Sequence, residues 1–227
     1  MKKILSLIVL FFCSIMAYCQ EKPGKYFEGI VEYEIKVESH IPGVSDNELR
    51  EKFGSKLLLH FKNGNYMREY IDGAGFTLNK QYYLHEKNMM YMHNIFFAPD
   101  TVYYQDAAEE QLISYKVESG PTEKILGVEC HSTIVSGKYI FPYTGDTTTS
   151  TLTYYFSPDL PVDPDWWTKM YIWKDVIKEY KCVATKFIEE DPIISTQTYT
   201  AVKVTWQPVS DDIFKIDPKL VLKKLPK

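Results

Sequence analysis

The chain has 227 residues, carries a formal net charge of −4 and is heavily aromatic, with 18 tyrosines, 12 phenylalanines and 4 tryptophans. An acidic balance without a basic stripe argues against nucleic acid, whose binding must displace counterions from phosphates. This length suits one core, since all-β domains of about 200 to 250 residues are commonly single.

Residues 1–19 read as a secretory signal peptide. Lys2 and Lys3 give a basic start, and Leu5 to Ile15 an apolar run too short to span a bilayer comfortably. Cleavage after Cys19 places Ala17 and Cys19 before the cut and leaves 20–227 as a single β-rich domain. The second reading makes Cys19 a lipidated N-terminus, against which the bulk of Tyr18 counts. Either way the chain is exported, to the periplasm or beyond. Loss of Lys2 and Lys3 takes the net charge to −6. No other stretch approaches membrane-span length, so the mature chain is expected to have no transmembrane segment.

From Phe27 to Ser39, Val31, Tyr33, Ile35 and Val37 alternate with Glu32, Glu34, Lys36 and Glu38, the period of a strand with one buried and one wet face. Ser45 and Glu48 form a capping box ahead of Leu49 and Phe53, predicting a short helix that Gly54 ends. Lys56 to Phe61 and Tyr66 to Ile71 read as strands joined at Asn63-Gly64, a dipeptide suited to positive φ. Strand-like runs follow at Phe76 to Leu84, Met89 to Phe97, Thr101 to Tyr104 and Leu112 to Val117, with Asp106 to Gln111 as a break. Short strands on short turns predict an antiparallel meander.

Ile125 to Val135 reads as one strand with a bulge or close approach at Gly127. The run after Gly145, TTTSTLTYYF, is β-branched and aromatic, and Pro158, Pro161 and Pro164 are expected to end it. Asp163-Pro164 is a helix start, predicting a helix over Asp165 to Trp173. Val176 to Ile188 and Ile193 to Trp206 then read as two long strands, and the tail after Pro208 holds Ile213, Phe214 and Ile216 for docking.

Adjacent aromatics on a strand point to opposite faces, so Tyr154, Tyr155 and Phe156 cannot all enter one core. With Trp166 and Trp167 they are the candidate ligand-binding residues, on the concave face of a curved sheet. Cys130 and Cys182, the cysteines outside the signal peptide, leave two readings open: an export-compatible disulfide, or two buried thiols. His85, Met89, Met90, Met92 and His93 lie close in sequence, but their spacing matches no metal-site pattern, so no metal site is expected. No catalytic motif is present. The acid pairs Glu109-Glu110, Glu189-Glu190 and Asp211-Asp212 read as solvated charges, so no enzyme and no cofactor are expected. Turns interrupted by predicted helices and a basic, proline-containing end weigh against an outer-membrane barrel.

The runs FEGIVEYEIKVE, TEKILGVEC and YYFSPDLPVDP resemble uncharacterised exported Gram-negative envelope proteins, in domain-of-unknown-function families related to the GLPGLI family. The GLPGLI signature itself is absent; after Cys182 the chain reads FIEEDPIIS. Some of these families are similar in layout to periplasmic lipoprotein carriers, which implies a carrier-like fold holding an acyl chain on a concave face.

The expected architecture is therefore α+β: a strongly curved, half-barrel-like antiparallel sheet with two or three short helices. The expected function is non-enzymatic periplasmic binding of a hydrophobic or lipid-like ligand. The alternative is an interaction module for an envelope protein partner.

Overall fold

A computed structural model describes residues 24–110, 112–140 and 145–225, so the expected signal peptide and the alternative anchor at Cys19 lie outside the described residues. The chain opens with β1 (Gly29–Ser39), α1 (Asp46–Phe53) and the hairpin β2 (Lys56–Lys62) and β3 (Asn65–Ile71). The meander continues through β4 (Thr77–Leu84), β5 (Met89–Asn94) and β6 (Thr101–Asp106). On the far side of β1 come β7 (Ser114–Ser119), β8 (Glu123–Ile125), β9 (Val128–Ile140) and β10 (Thr147–Pro161). Helix α2 (Trp173–Tyr180) precedes β11 (Cys182–Asp191), β12 (Ser195–Trp206) and a short β13 (Val221–Lys224).

The strands line up β13-β6-β5-β4-β3-β2-β1-β12-β11-β10-β9-β7, with β8 folded back on β9. All pairings are antiparallel except β13 with β6. Strand β1 therefore lies mid-sheet, paired to β2 on one side and to β12 on the other. Its alternating row Val31, Tyr33, Ile35 and Val37 is buried, as the sequence period requires.

The sheet is strongly curved. Strands β3 and β11 stand four pairings apart, about 19 Å in a flat sheet at ~4.8 Å per strand. Yet the Arg68 guanidinium of β3 lies 5.3 Å from the centre of the Phe187 ring of β11. Register shifts at Glu32/Tyr33, Tyr70/Ile71 and Tyr155/Phe156 supply irregularities of the kind that bend strands.

Both faces of the sheet are covered. The concave side holds the main cluster, from Val31 and Tyr33 through Phe61, Tyr154 and Trp167 to Phe187 and Tyr199. On the convex side, Met67, Tyr82, Tyr91 and Val102 pack under Val209 and Phe214 of the tail. A third cluster, Ile125, Cys130 and Tyr155, lies at the β8–β9 hairpin. The tail is also tied by polar contacts: the Val209 amide donates to Glu28 Oε1 (2.8 Å), and Lys62 Nζ pairs with Asp211 (2.8 Å).

Four expectations are corrected. The segment expected as a helix over Asp165 to Trp173 forms turns, and the helix is instead Trp173–Tyr180, inside the stretch read as strand Val176 to Ile188. Trp173, Val176, Ile177 and Tyr180 fall at helical spacing, Val176 and Ile177 are buried, and the intervening positions are charged, so the amphipathic helix period wins over β propensity. Gly127 is no bulge: Leu126 (φ 50°) and Gly127 (φ 84°) form the two-residue turn of the β8–β9 hairpin. Pro158 does not end β10, which runs to Pro161 because the ladder skips from Phe156 to Pro161 and asks no amide of Pro158. The Cys130–Cys182 disulfide is not formed. Cys130 Sγ contacts Thr185 Oγ1 (3.3 Å) in the convex hairpin cluster, whereas Cys182 Sγ donates to Tyr180 O (2.9 Å) and belongs to the concave core.

The capping box is present, with the Ser45 amide donating to Glu48 Oε2 (2.7 Å) and the Glu48 amide to Ser45 Oγ (3.3 Å). The Asn63-Gly64 turn has φ values of 49° and 78°. At Gly64 an added Cβ would stand 2.8 Å from Trp166 Cγ, so this turn needs glycine for both its φ and its close packing. Gly64→Ala is expected to destabilise the protein by about 1–3 kcal/mol, with red-shifted tryptophan emission; an unchanged denaturation midpoint and spectrum would contradict this account.

Candidate ligand-binding cavity

The concave face is built from alternate positions of several strands. Leu57, Leu59 and Phe61 on β2 share parity with Tyr66, Arg68 and Tyr70 on β3, because Leu57 pairs with Tyr70, Leu59 with Arg68 and Phe61 with Tyr66. Tyr33, Tyr154 and Phe187 close the far wall. Over them lies a cover, Val162 to Tyr180, which contributes Trp167, Met170 and Trp173. Between wall and cover is a cavity of about 40 Å³ within a crevice of about 520 Å³ that includes space open to solvent. The cavity admits a few water molecules, at about 10–15 Å³ of such space for each, and is too small for an acyl chain. Aromatic side chains fill most of the concavity.

The cover is tethered at a few defined points. Trp167 Nε1 donates to Gly64 O (2.9 Å), the Tyr171 amide to Ala107 O (2.7 Å) and the Val162 amide to Lys181 O (2.9 Å). Tyr115 Oη donates to Asp175 Oδ2 (2.6 Å), tying α2 to edge strand β7. Two non-glycine residues at the cover's turns have positive φ, Trp167 at 83° and Ile172 at 66°. For a β-branched residue such as Ile172 this is a costly conformation, held only by its surroundings.

Of the sequence candidates, Tyr154 and Trp167 line the cavity. Phe156 is buried in the same core, stacked on Tyr180 with centroids 5.7 Å apart. Trp166, also part of the cover, is not among the cavity-lining residues and packs with ring centroids 5.4 Å from Tyr26 and 5.7 Å from Phe61. Tyr155 does not join them: it lies on the convex side with Cys130, with Lys186 Nζ 5.1 Å from its ring centre. Strand alternation separates it from both neighbours.

The residues missed in the sequence are polar. Arg68 sits between Tyr66 and Tyr70 on the concave row and lies 5.3 Å from the ring centres of Tyr66 and Phe187, a cation–π geometry. It is partly buried, and no carboxylate of the described residues comes within 4.0 Å of it as an ion pair. Burial works against its charge, but the phenols of Tyr70, Tyr66 and Tyr154 and the carboxyl of Glu189 outweigh this and keep it protonated. Burial pushes the Glu189 carboxyl up, with Arg68 opposing. Burial likewise lifts Tyr70 to about 12, again against Arg68. The Y-x-R-x-Y alternation was the available signal, since it sets an arginine between two tyrosines on one strand face.

The other acids are scattered: Glu109 pairs with Lys224, Asp211 with Lys62 and Asp212 with Lys215. Cys182 lines the cavity, but burial first, and the nearby Cys130 second, push its thiol up to about 11, which disfavours the nucleophilic thiolate. His93 Nε2 lies 2.8 Å from Pro99 O, and Met89 and His93 share the opposite face of the strand from Met90 and Met92, which splits the group between two faces.

No family model and no curated protein matches the chain. Among solved structures, lipoprotein LppX of Mycobacterium tuberculosis is similar with a TM-score of 0.35 and 6% identity, over 81% of this chain and 89% of that one. A LolA superfamily protein from Nitrosomonas europaea gives a TM-score of 0.36 and 10% identity, over 87% and 94%. A putative outer membrane lipoprotein-sorting protein domain from Vibrio parahaemolyticus gives 0.24 and 7%, over 82% and 89%.

Because Glu189 holds its proton more tightly when folded than unfolded, the native state binds more protons above the ordinary carboxyl range. Its contribution to stability is present below the ordinary carboxyl pKa and is lost as pH rises through the raised one. Glu189→Gln should therefore gain melting temperature relative to the parent as pH rises from about 4.5. Parallel melting curves across that range would show that Glu189 is not so burdened.

Proposed function

We propose that this is a non-enzymatic binding protein of the cell envelope that holds a hydrophobic or lipid-like ligand against its concave face, in one domain spanning 20–227 released from the signal peptide 1–19. The observation that carries this reading is the apolar cavity beneath a tethered cover with strained turns at Trp167 and Ile172. Strain of this kind is found at clamps and switch regions. The enclosed space is too small for an acyl chain, so ligand entry requires the cover to swing away from Gly64 and Ala107, exchanging aromatic packing for ligand packing.

Native mass spectrometry of the exported protein purified from envelopes, together with tryptophan emission on adding hexadecanol, tests the reading. A bound apolar ligand and an emission change from Trp167 and Trp173 are expected. Met170→Trp, which fills the cavity, should weaken hexadecanol binding by at least about tenfold. A uniformly ligand-free protein, indifferent to hexadecanol, would end this proposal.

One observation favours the interaction-module alternative. Phe76, Phe96 and Phe97 are 71%, 73% and 71% exposed, on two loops brought together by the Ile95 amide donating to Leu78 O (3.0 Å). An envelope protein partner seated there should be lost from cross-linked envelopes when all three are changed to serine. Partner capture unaffected by the change would remove the alternative.

A further inference from the structure

Arg68 is an unusual residue for the wall of an apolar cavity. Its neighbours in register are Leu59 on β2 and Gln81 on β4, and along its own strand face lie Tyr66 and Tyr70. It therefore stands at a boundary. Toward the β2–β3 turn the concave wall is Leu59, Phe61, Tyr66 and Trp167; away from it, Tyr70, Gln81, Tyr199 and Glu189 make a polar region. The guanidinium rests on two aromatic rings and is not matched by an ion pair among the described residues. Ring faces stabilise a cation, and the Tyr70 phenol takes one of its hydrogen bonds, but the remaining N–H groups of the five-donor fork are left for other oxygen acceptors. Removing such a charge from water without a hydrogen-bonded anion is costly, so an unmatched guanidinium at a cavity wall is poised for one.

We propose that Arg68 is the headgroup anchor of the concave site, and that the ligand is an anionic amphiphile: an apolar chain lying along Leu59, Phe61 and Trp167, with a carboxylate or phosphate monoester at its end. The proposal rests on the binding function above and specifies its ligand class. The planar fork can donate two parallel N–H···O bonds to either head, a geometry that lysine cannot reproduce. Glu189, across the concavity on β11, does not fill this role, since it makes no ion pair with Arg68. Its charge would oppose an anion, so it tunes the site without binding the head.

The test compares hexadecanol, palmitate and hexadecyl phosphate, all below aggregation, by tryptophan emission on the full exported chain. The parent protein should bind one or both anions at least about tenfold more tightly than the alcohol, the scale of a hydrogen bond to a charged group. Preference for palmitate over hexadecyl phosphate would assign a fatty-acid-like head, and the reverse a phospholipid-like one. Arg68→Gln should abolish the preference, with a parental far-ultraviolet circular dichroism spectrum showing that the variant is folded. Arg68→Lys should keep only part of it, and Glu189→Gln should retain or increase it. Equal affinity for alcohol and anions in the parent, or a preference that survives in Arg68→Gln, overturns the anchor while leaving the binding function intact. Failure of all three ligands to bind overturns both.

Discussion

Everything on the concave side depends on the pairing of β1 with β12. It spans Gly29 to Ser39 against Trp206 to Ser195 and joins two meanders that would otherwise be separate sheets. A strand such as β1 cannot stand alone: ordering each backbone residue costs about 1–2 kcal/mol, while burying each large apolar side chain returns about 1.5–3 kcal/mol. With β2 on one edge and β12 on the other, the Val31, Tyr33, Ile35 and Val37 row becomes the floor on which both halves pack. The register also sets which residues share that floor. Tyr33 stands opposite Ala201, a small neighbour, and its hydroxyl reaches Ala184 O at 2.6 Å.

Curvature then converts a sheet face into an enclosure. Residues from strands far apart in the order meet across it, as Arg68 and Phe187 do, and the aromatic load fills the space by edge and stacked contacts such as Phe187 on Tyr199 at 4.1 Å. The convex face is buried in patches by the tail and the β8–β9 hairpin, which is why strands such as β3 and β10 carry large apolar residues on both parities. The cover differs from the walls. It is held by turns and a short helix, with positive φ at Trp167 and Ile172, instead of by a strand ladder.

The polar centre is the feature that an ordinary core would lack. Arg68, Glu189 and the phenols of Tyr70, Tyr154 and Tyr199 perturb one another across an otherwise aromatic concavity. Close packing alone would favour apolar residues of similar volume at these positions. Their presence separates the concave surface into an apolar half under the cover and a charged half beside it.

Local chemistry in the sequence determined much of the scaffold: the period-two row of β1, the capping box of α1 and the Asn63-Gly64 turn each follow from interactions within a few residues. It also determined that Tyr155 must part from Tyr154 and Phe156. In the sequence the helix Trp173–Tyr180 is misread as the start of a strand, because its β-branched and aromatic residues suit either state and only packing of Val176 and Ile177 onto the core decided between them. What the tertiary structure alone decided was assembly: the return of β12 to β1, the thiols of Cys130 and Cys182 on opposite faces, and the docking of Trp167 on Gly64. The site belongs to this second kind. Arg68 and Glu189 are far apart along the chain and four pairings apart in the sheet, so no local pattern could join them; only curvature brings them into one electrostatic field.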